Sequence, residues 1–200
     1  GSSAYHAAEQ LVFRNTTLVY LEVDKKEIFP DQWIYIHDNR VRTGRISNFS
    51  NWGIESNDDK NSTLLCLEYW SDFDSFWEKP EDEKVKIAEK EIEILGIAEK
   101  ANVLNSKVIH LPRCYPVYTN NYESHLETIK SYLQKFKNLD VIGRYGSFKY
   151  NNQDHSLLMG MLCAENIMEN KKHNLWDINN DYEYQESSRI SETGLELNGL

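Results

Sequence analysis

Asn15-Thr-Thr-Leu-Val-Tyr-Leu-Glu-Val23 sets the fold class, because Thr17, Val19, Leu21 and Val23 alternate against Leu18, Tyr20 and Glu22. A period of two is that of a strand with one face turned into a core. The segments around it extend the pattern. Before it, residues 5–13 read as a short helix with Tyr5, Ala8 and Val12 on one face. After it, Phe29-Pro-Asp31 reads as a turn, and Trp33-Ile-Tyr-Ile-His37 as a second strand rich in aromatic and β-branched residues. Asp38-Asn39 turns the chain into residues 41–49, the expected hairpin partner. Residues 55–61 read as a polar loop and residues 62–70 as a further strand. Strands joined by short connections predict an antiparallel sheet.

Amphipathic helices follow. Pro80 suits a first helical position, with Glu81, Asp82 and Glu83 near the positive end of the helix dipole. Val85, Ala88, Ile92 and Leu95 form its apolar stripe, and Gly96 ends it. Val108-Ile-His-Leu111 resumes strand character before Pro112, and Tyr122, Leu126, Ile129, Leu133 and Phe136 mark a second helix. Residues 139–142 read as a short apolar strand running into Gly143, and residues 144–152 as a polar loop. Asp154 then caps a helix whose expected core face is Leu157, Met161, Ala164 and Met168. The expectation is an α+β fold: a largely antiparallel sheet of about five or six strands, flanked by amphipathic helices. The organisation drawn from sequence is a substrate-binding-type domain over 4–137, a strand–loop–helix piece over 138–186, and a disordered tail over 187–200.

The chain has 200 residues, 40% apolar and 27% charged, which is globular composition. A net charge of −10 argues against a nucleic-acid partner and against an anionic membrane surface, since both need clustered Lys and Arg. No apolar run approaches the roughly 20 residues that span a bilayer. Gly1-Ser-Ser-Ala4 reads as a cloning remnant rather than a secretion signal. Cys66, Cys114 and Cys163 are odd in number and lack C-x-x-C spacing, so a reducing cytoplasm is the expected location. Triplets at Asn15, Asn48 and Asn61 match the glycosylation pattern and are read as chance in an Asn-rich chain. His37, His110, His125 and His173 show no paired ligand spacing, so no metal site is expected.

The chemistry points to Gly143-Arg-Tyr-Gly-Ser-Phe-Lys-Tyr-Asn-Asn-Gln-Asp-His-Ser156. Two glycines let a ligand approach the backbone. A helix starting near Asp154 offers free amides and a positive dipole end to an anion or a polarised ring carbonyl. Asn151, Asn152 and Gln153 add donors and acceptors that do not titrate. Such a set describes a cofactor cradle better than an acid–base dyad, with ordinary loop and capping chemistry as the plain alternative. Arg40, Arg42 and Arg45 alternate over the hairpin, and Arg45 is the candidate phosphate clamp, its two companions reading as a solvated face.

Gly143-Arg144 followed by Tyr150-Asn-Asn-Gln-Asp-His-Ser156 resembles the flavin-contacting C-terminal segment of UDP-galactopyranose mutases and of related FAD-dependent, amine-oxidase-like proteins, often labelled protoporphyrinogen-oxidase-like. The resemblance extends through Phe29-Pro-Asp-Gln-Trp-Ile-Tyr-Ile-His37, Gly44-Arg-Ile-Ser-Asn-Phe49, Tyr115-Pro-Val-Tyr118, Leu175-Trp176 and residues 182–186. It implies FAD contact by Gly143, Arg144, Asn151, Asn152, Gln153, Asp154, His155 and Ser156. Arg45, Tyr115, Tyr118 and Tyr150 are implied to face a nucleotide-sugar substrate. Gly143 would end the last strand beside the ribityl chain. His155 is read as a structural hydrogen-bonding residue, and no catalytic residue is assigned.

The family binds the ADP half of FAD with G-x-G-x-x-G in an N-terminal βαβ unit. That motif is absent here. The chain is therefore expected to be a substrate domain with the last flavin-contacting piece attached, its partner a missing N-terminal FAD-binding region, and to retain FAD weakly or not at all. The resemblance implies flavin-dependent isomerisation of a nucleotide sugar. The alternatives are amine-oxidase-like hydride transfer to flavin and a stand-alone sugar-nucleotide-binding module. Asn152 stands where mutases often carry an acid, while Gly143-Arg144, against the Gly-acid pair of amine oxidases, moves the match to the mutase branch.

Overall fold

A computed structural model describes residues 2–53, 61–71, 75–179, 189–191 and 194–196. The chain forms two compact units, Phe13–Tyr115 on one hand and Gly1–Val12 with Pro116–Leu200 on the other. The boundary drawn from sequence at 137/138 falls inside the latter. Helix α1 (Ser2–Glu9) is the reason, since it packs against α3 (Tyr122–Leu133) and joins the first residues to the second half.

The unit Phe13–Tyr115 is built on strands β1 (Val12–Val23), β2 (Trp33–Tyr35), β3 (Arg45–Asn48), β4 (Thr63–Ser71) and β5 (Val103–Val117). They lie in the order β2-β3-β4-β1-β5, with the β2–β3, β3–β4 and β4–β1 ladders antiparallel. With its helices this is the α+β architecture expected. Register places Val19 opposite Leu67 and Leu21 opposite Leu65, while Ile46 also faces Leu67. These side chains, with Val23 and Tyr69, are fully buried. Helix α2 (Glu81–Ile94) completes that core with Ala88 and Ile92, flanked by Val85 and Leu95. Each large apolar side chain buried this way contributes about 1.5–3 kcal/mol. Asn15 and Asn48, two of the triplet asparagines, are buried as well.

Several boundaries move. Pro80 is the N-cap of α2, with extended ψ of 151°, rather than its first helical residue. The hairpin forms, but residues 41–43 leave the ladder, where a carboxylate from α2 takes the amides of Arg42 and Thr43, while Gly44 still bonds Ile36 and Glu68. Glu91 accepts from the amides of Arg42 at 2.7 Å and Thr43 at 3.1 Å, and from the Tyr69 hydroxyl at 2.9 Å. Gly44 is required there: a Cβ would meet the Trp70 ring at 2.1 Å. Strand β5 continues through Pro112 and Pro116, which its edge position tolerates because no inner ladder loses a donor.

The other unit contains α1, α3, the single turn α4 (Gly143–Gly146), α5 (Gln153–Met168) and a small hairpin of β6 (Arg189–Ser191) with β7 (Gly194–Glu196). Residues 139–142 do not form the expected strand: they take no regular secondary structure, no described strand pairs with them, and Leu139 and Ile142 are exposed. The face expected to be core on α5 is likewise corrected. Leu157, Met161 and Met168 are 68%, 64% and 84% exposed, whereas Met159 and Cys163 are buried with Leu175. The helix is apolar on both sides, so spacing alone could not choose between them. The loop read at 55–61 lies outside the described residues except Asn61, and so do residues 182–186 and most of the tail from Ser187.

Candidate functional site

In the unit Phe13–Tyr115 the sheet face away from α2 carries two of the candidate substrate residues, Arg45 and Tyr115. Cross-strand register lines up Tyr35, Arg45, Glu68 and Leu18. Arg45 grips Glu68 with both arms of its fork, Nε to Oε1 and Nη2 to Oε2, each 2.8 Å. Nη1 donates to the Tyr35 hydroxyl at 3.4 Å, and the guanidinium lies 5.7 Å from the Tyr35 ring centre. Burial works against the Arg45 charge, but the hydrogen bonds and charge of Glu68 hold its pKa above the ordinary value, and Tyr115 adds to that field. Arg45 and Tyr115 are thus brought together. Glu68 occupies the planar fork that would grip a diphosphate.

Sequence reasoning missed Glu68, although an acid inside the apolar run of β4 was a readable signal. It also missed the aromatic row on the same hairpin. Trp33 and Trp52 rings lie 5.8 Å apart, Phe49 is 6.0 Å from Trp52, and Tyr20 stacks on Phe49 at 6.0 Å. Trp33, Tyr35 and Trp52 are about half exposed. Arg40 and Arg42 do not alternate along a strand. Arg40 forks onto exposed Asp38, whose hydrogen bonds from Arg40 lower its pKa to about 2. The Arg42 guanidinium sits 5.1 Å above the Phe76 ring.

In the other unit the segment from Gly143 to Ser156 is a one-turn helix, a tight connection and the start of α5. Gly143 does not end a strand; it opens α4 with φ +77°, a backbone that disfavours any Cβ, and open space surrounds its α-carbon. Gly146 instead packs on the backbone of Val141. Arg144 donates to the Asn151 carbonyl at 2.9 Å and lies 4.8 Å over the Tyr150 ring. Asn151 is buried: its side-chain amide donates through Nδ2 to Met159 Sδ at 3.2 Å and accepts through Oδ1 from Asn179 Nδ2 at 3.0 Å.

The cap of α5 is Asn152 rather than Asp154. Asn152 and His155 form a capping box, the Asn152 amide donating to His155 Nδ1 at 3.2 Å. His155 thus makes a structural hydrogen bond at the start of the helix. Ser156 Oγ returns to the Asn152 carbonyl at 3.0 Å. Gln153 and Asp154 are exposed in the first turn, where backbone amides have no intrahelical acceptor. The outward-facing residues of this segment include Tyr145, Tyr150, Asn152, Gln153 and Asp154, with Gly143 half-buried, while Arg144 and Asn151 brace it from within.

Tyr118 and Tyr150 also meet, the Tyr150 amide donating to the Tyr118 hydroxyl at 2.8 Å. Tyr118, Tyr122 and Phe148 form an aromatic cluster with ring centres 4.8–6.1 Å apart. Together with Trp176 and Asn179 they line a cleft of about 390 Å³. Lys149 closes one wall, its ammonium donating to the carbonyls of Trp176 at 2.5 Å and Ile178 at 2.7 Å. Among the described residues no three His, Cys, Asp or Glu side chains gather as a metal site, and no helix is long and apolar enough to cross a membrane.

No family model and no curated protein matches the chain by sequence. Among solved structures, a reduced UDP-galactopyranose mutase superposes with a TM-score of 0.71 at 16% identity, covering 84% of this chain. The chain has the fold of part of that mutase. It spans 37% of the mutase's length. A protein assigned as a protoporphyrinogen oxidase from Exiguobacterium sp. 255-15 superposes with a TM-score of 0.53 at 13% identity, over 68% of this chain and 31% of its own. The fold is thus the one that the Gly143–Ser156 resemblance implies, and at such identities the likeness is one of fold alone.

Proposed function

We propose that this chain supplies the substrate-facing sheet and the flavin-facing helix terminus of an FAD-dependent enzyme of the UDP-galactopyranose mutase type, acting on a nucleotide-linked sugar. The observation that carries the reading is the cradle. Gly143 leaves its α-carbon open, and the capped start of α5 turns Gln153 and Asp154 outward, within a fold shared with the mutase. Those residues fit the pyrimidine edge and ribityl chain of a flavin: backbone amides at a helix terminus accept partial negative charge without titrating. When bound, the flavin would supply the redox or nucleophilic chemistry, and the protein would orient the substrate and exclude water. Tyr150 and Tyr118 would set the aromatic wall, and Arg45 would hold the sheet face in shape through Glu68.

The partner implied is a dinucleotide-binding body. The apolar stripe of Leu157, Met161, Ile167 and Met168 on α5, 64–84% exposed, is the surface it would cover. The deciding experiment assays the protein that joins this chain to such a body. Interconversion of UDP-galactopyranose and its furanose form under reducing conditions supports the proposal. Asn152, standing where mutases often carry an acid, favours a second reading, an amine-oxidase-like enzyme. Amine-dependent oxygen consumption without isomerisation would replace the first reading by the second.

A further inference from the structure

Lys84 is the largest charged side chain buried in the unit Phe13–Tyr115, with 1% of its surface exposed. Its ammonium donates to the Trp77 carbonyl at 2.7 Å and lies 2.6 Å from His110 Nε2. The rings of Phe76 and Trp77 stand 5.9 Å away, and Trp77 meets His110 edge-on at 5.2 Å. No carboxylate forms an ion pair with Lys84 among the described residues; the acids whose charge reaches it are Glu81 on α2 and Glu78 before it. An ammonium has donors and no acceptor. With the lysine charged, a 2.6 Å contact needs the lone pair of Nε2, which puts the His110 proton on Nδ1. Lys84 belongs to α2 and His110 to edge strand β5, so one hydrogen bond ties the helix to the sheet edge.

We propose that the Lys84–His110 contact is an acid-sensitive latch between α2 and β5. When Nε2 gains a proton the acceptor is gone, and two cations face each other at hydrogen-bonding distance. The contact cannot survive in that state. Either β5 loosens at His110, or the lysine swings towards Glu81. Burial, and then the Lys84 charge, lower the His110 pKa from 6.5, and burial lowers that of Lys84. The sign follows from linkage. Below about pH 6.5 the unfolded chain takes up a proton at His110 that the latched state refuses, so stability falls with falling pH. Tyr115, on the candidate binding face, lies five residues farther along the same strand, which puts that face within reach of the latch. The inference does not depend on the flavin reading.

The test follows the imidazole nitrogens by NMR and backbone hydrogen exchange along β5, from about pH 7.5 down to about pH 4.5, in the wild type, His110→Gln and Lys84→Met. His110→Gln keeps an acceptor that cannot titrate. Expected are an Nδ1–H tautomer at neutral pH, a His110 titration below 6.5, and about a tenfold loss of β5 protection per unit of pH below it. Glutamine should flatten that loss, and Lys84→Met should move the His110 titration back upward. If His110 titrates at or above its ordinary value, or if His110→Gln keeps the wild-type pH response, the latch is refuted. Should a variant fail to fold, the wild-type tautomer and titration decide alone.

Discussion

At Arg45 the guanidinium is half of a largely buried pair, and removing it leaves the Glu68 carboxylate, 9% exposed, without a counter-charge. Breaking such a pair costs about 3–5 kcal/mol. Arg45→Met should therefore destabilise the chain by about 3 kcal/mol in urea denaturation, whereas Arg40→Ala, at an exposed pair, should change stability by about 0.5 kcal/mol or less. Equal effects would mean that the Arg45–Glu68 fork is no more than a surface contact. Beside the pair, burial and the charge of Glu68 push the Cys66 thiol up to about 12 from 9.0, and burial, then Cys66, pushes Tyr20 to about 12 from 10.0. Both folded-state values are raised, so their stabilisation is complete below pH 9 and disappears as pH rises from 9 towards 12. Urea midpoints measured across that window should fall, and Cys66→Ala should make the fall shallower. Cys66 should also react with a thiol reagent only as fast as the chain unfolds.

Helix α5 shows what an element can hide. Its spacing supported a core face of Leu157, Met161, Ala164 and Met168, yet Leu158, Met159, Leu162 and Cys163 make an equally apolar one. The deciding contacts come from elsewhere in the chain, from Leu175 and from the buried Asn151 amide on Met159. Met159→Ala should accordingly cost about 2–5 kcal/mol. The pair Met161→Lys with Met168→Glu should cost less than about 0.5 kcal/mol in this chain, as surface changes do, while abolishing its association with a dinucleotide-binding body in native mass spectrometry. A large loss of stability in the surface pair would place that stripe inside this chain's own core. Strand β1 was legible because its alternation over residues 15–23 admits one buried face, and β4 because its run of apolar and aromatic residues is long enough to be a buried strand. Residues 139–142 were not, because a four-residue segment with three apolar side chains becomes a strand only when a neighbour supplies its hydrogen bonds. The hairpin fell between these cases: its turn was readable, but the register of residues 41–43 depends on Glu91, nearly fifty positions away.

Across the molecule, the motif at Gly143–Ser156 pointed to the right fold. Arg144 already donates to the Asn151 backbone carbonyl, and the Asn151 side chain accepts from Asn179. Beside them stand an open glycine and one turn of helix, and the sequence has no G-x-G-x-x-G to bind the ADP half. A flavin on this chain would be gripped at one end only, and association must offset at least ~4 kcal/mol of lost translational and rotational freedom before any affinity appears. The chain alone should therefore lose FAD on gel filtration, leaving no flavin absorbance in the protein peak. Joined to a dinucleotide-binding body, it should retain flavin at one equivalent, and Gly143→Val in the joined protein should lower that occupancy through both its backbone strain and its bulk. Tight, stoichiometric flavin on the isolated chain would mean that the cradle is complete here, and the division of the cofactor between two bodies would have to be given up.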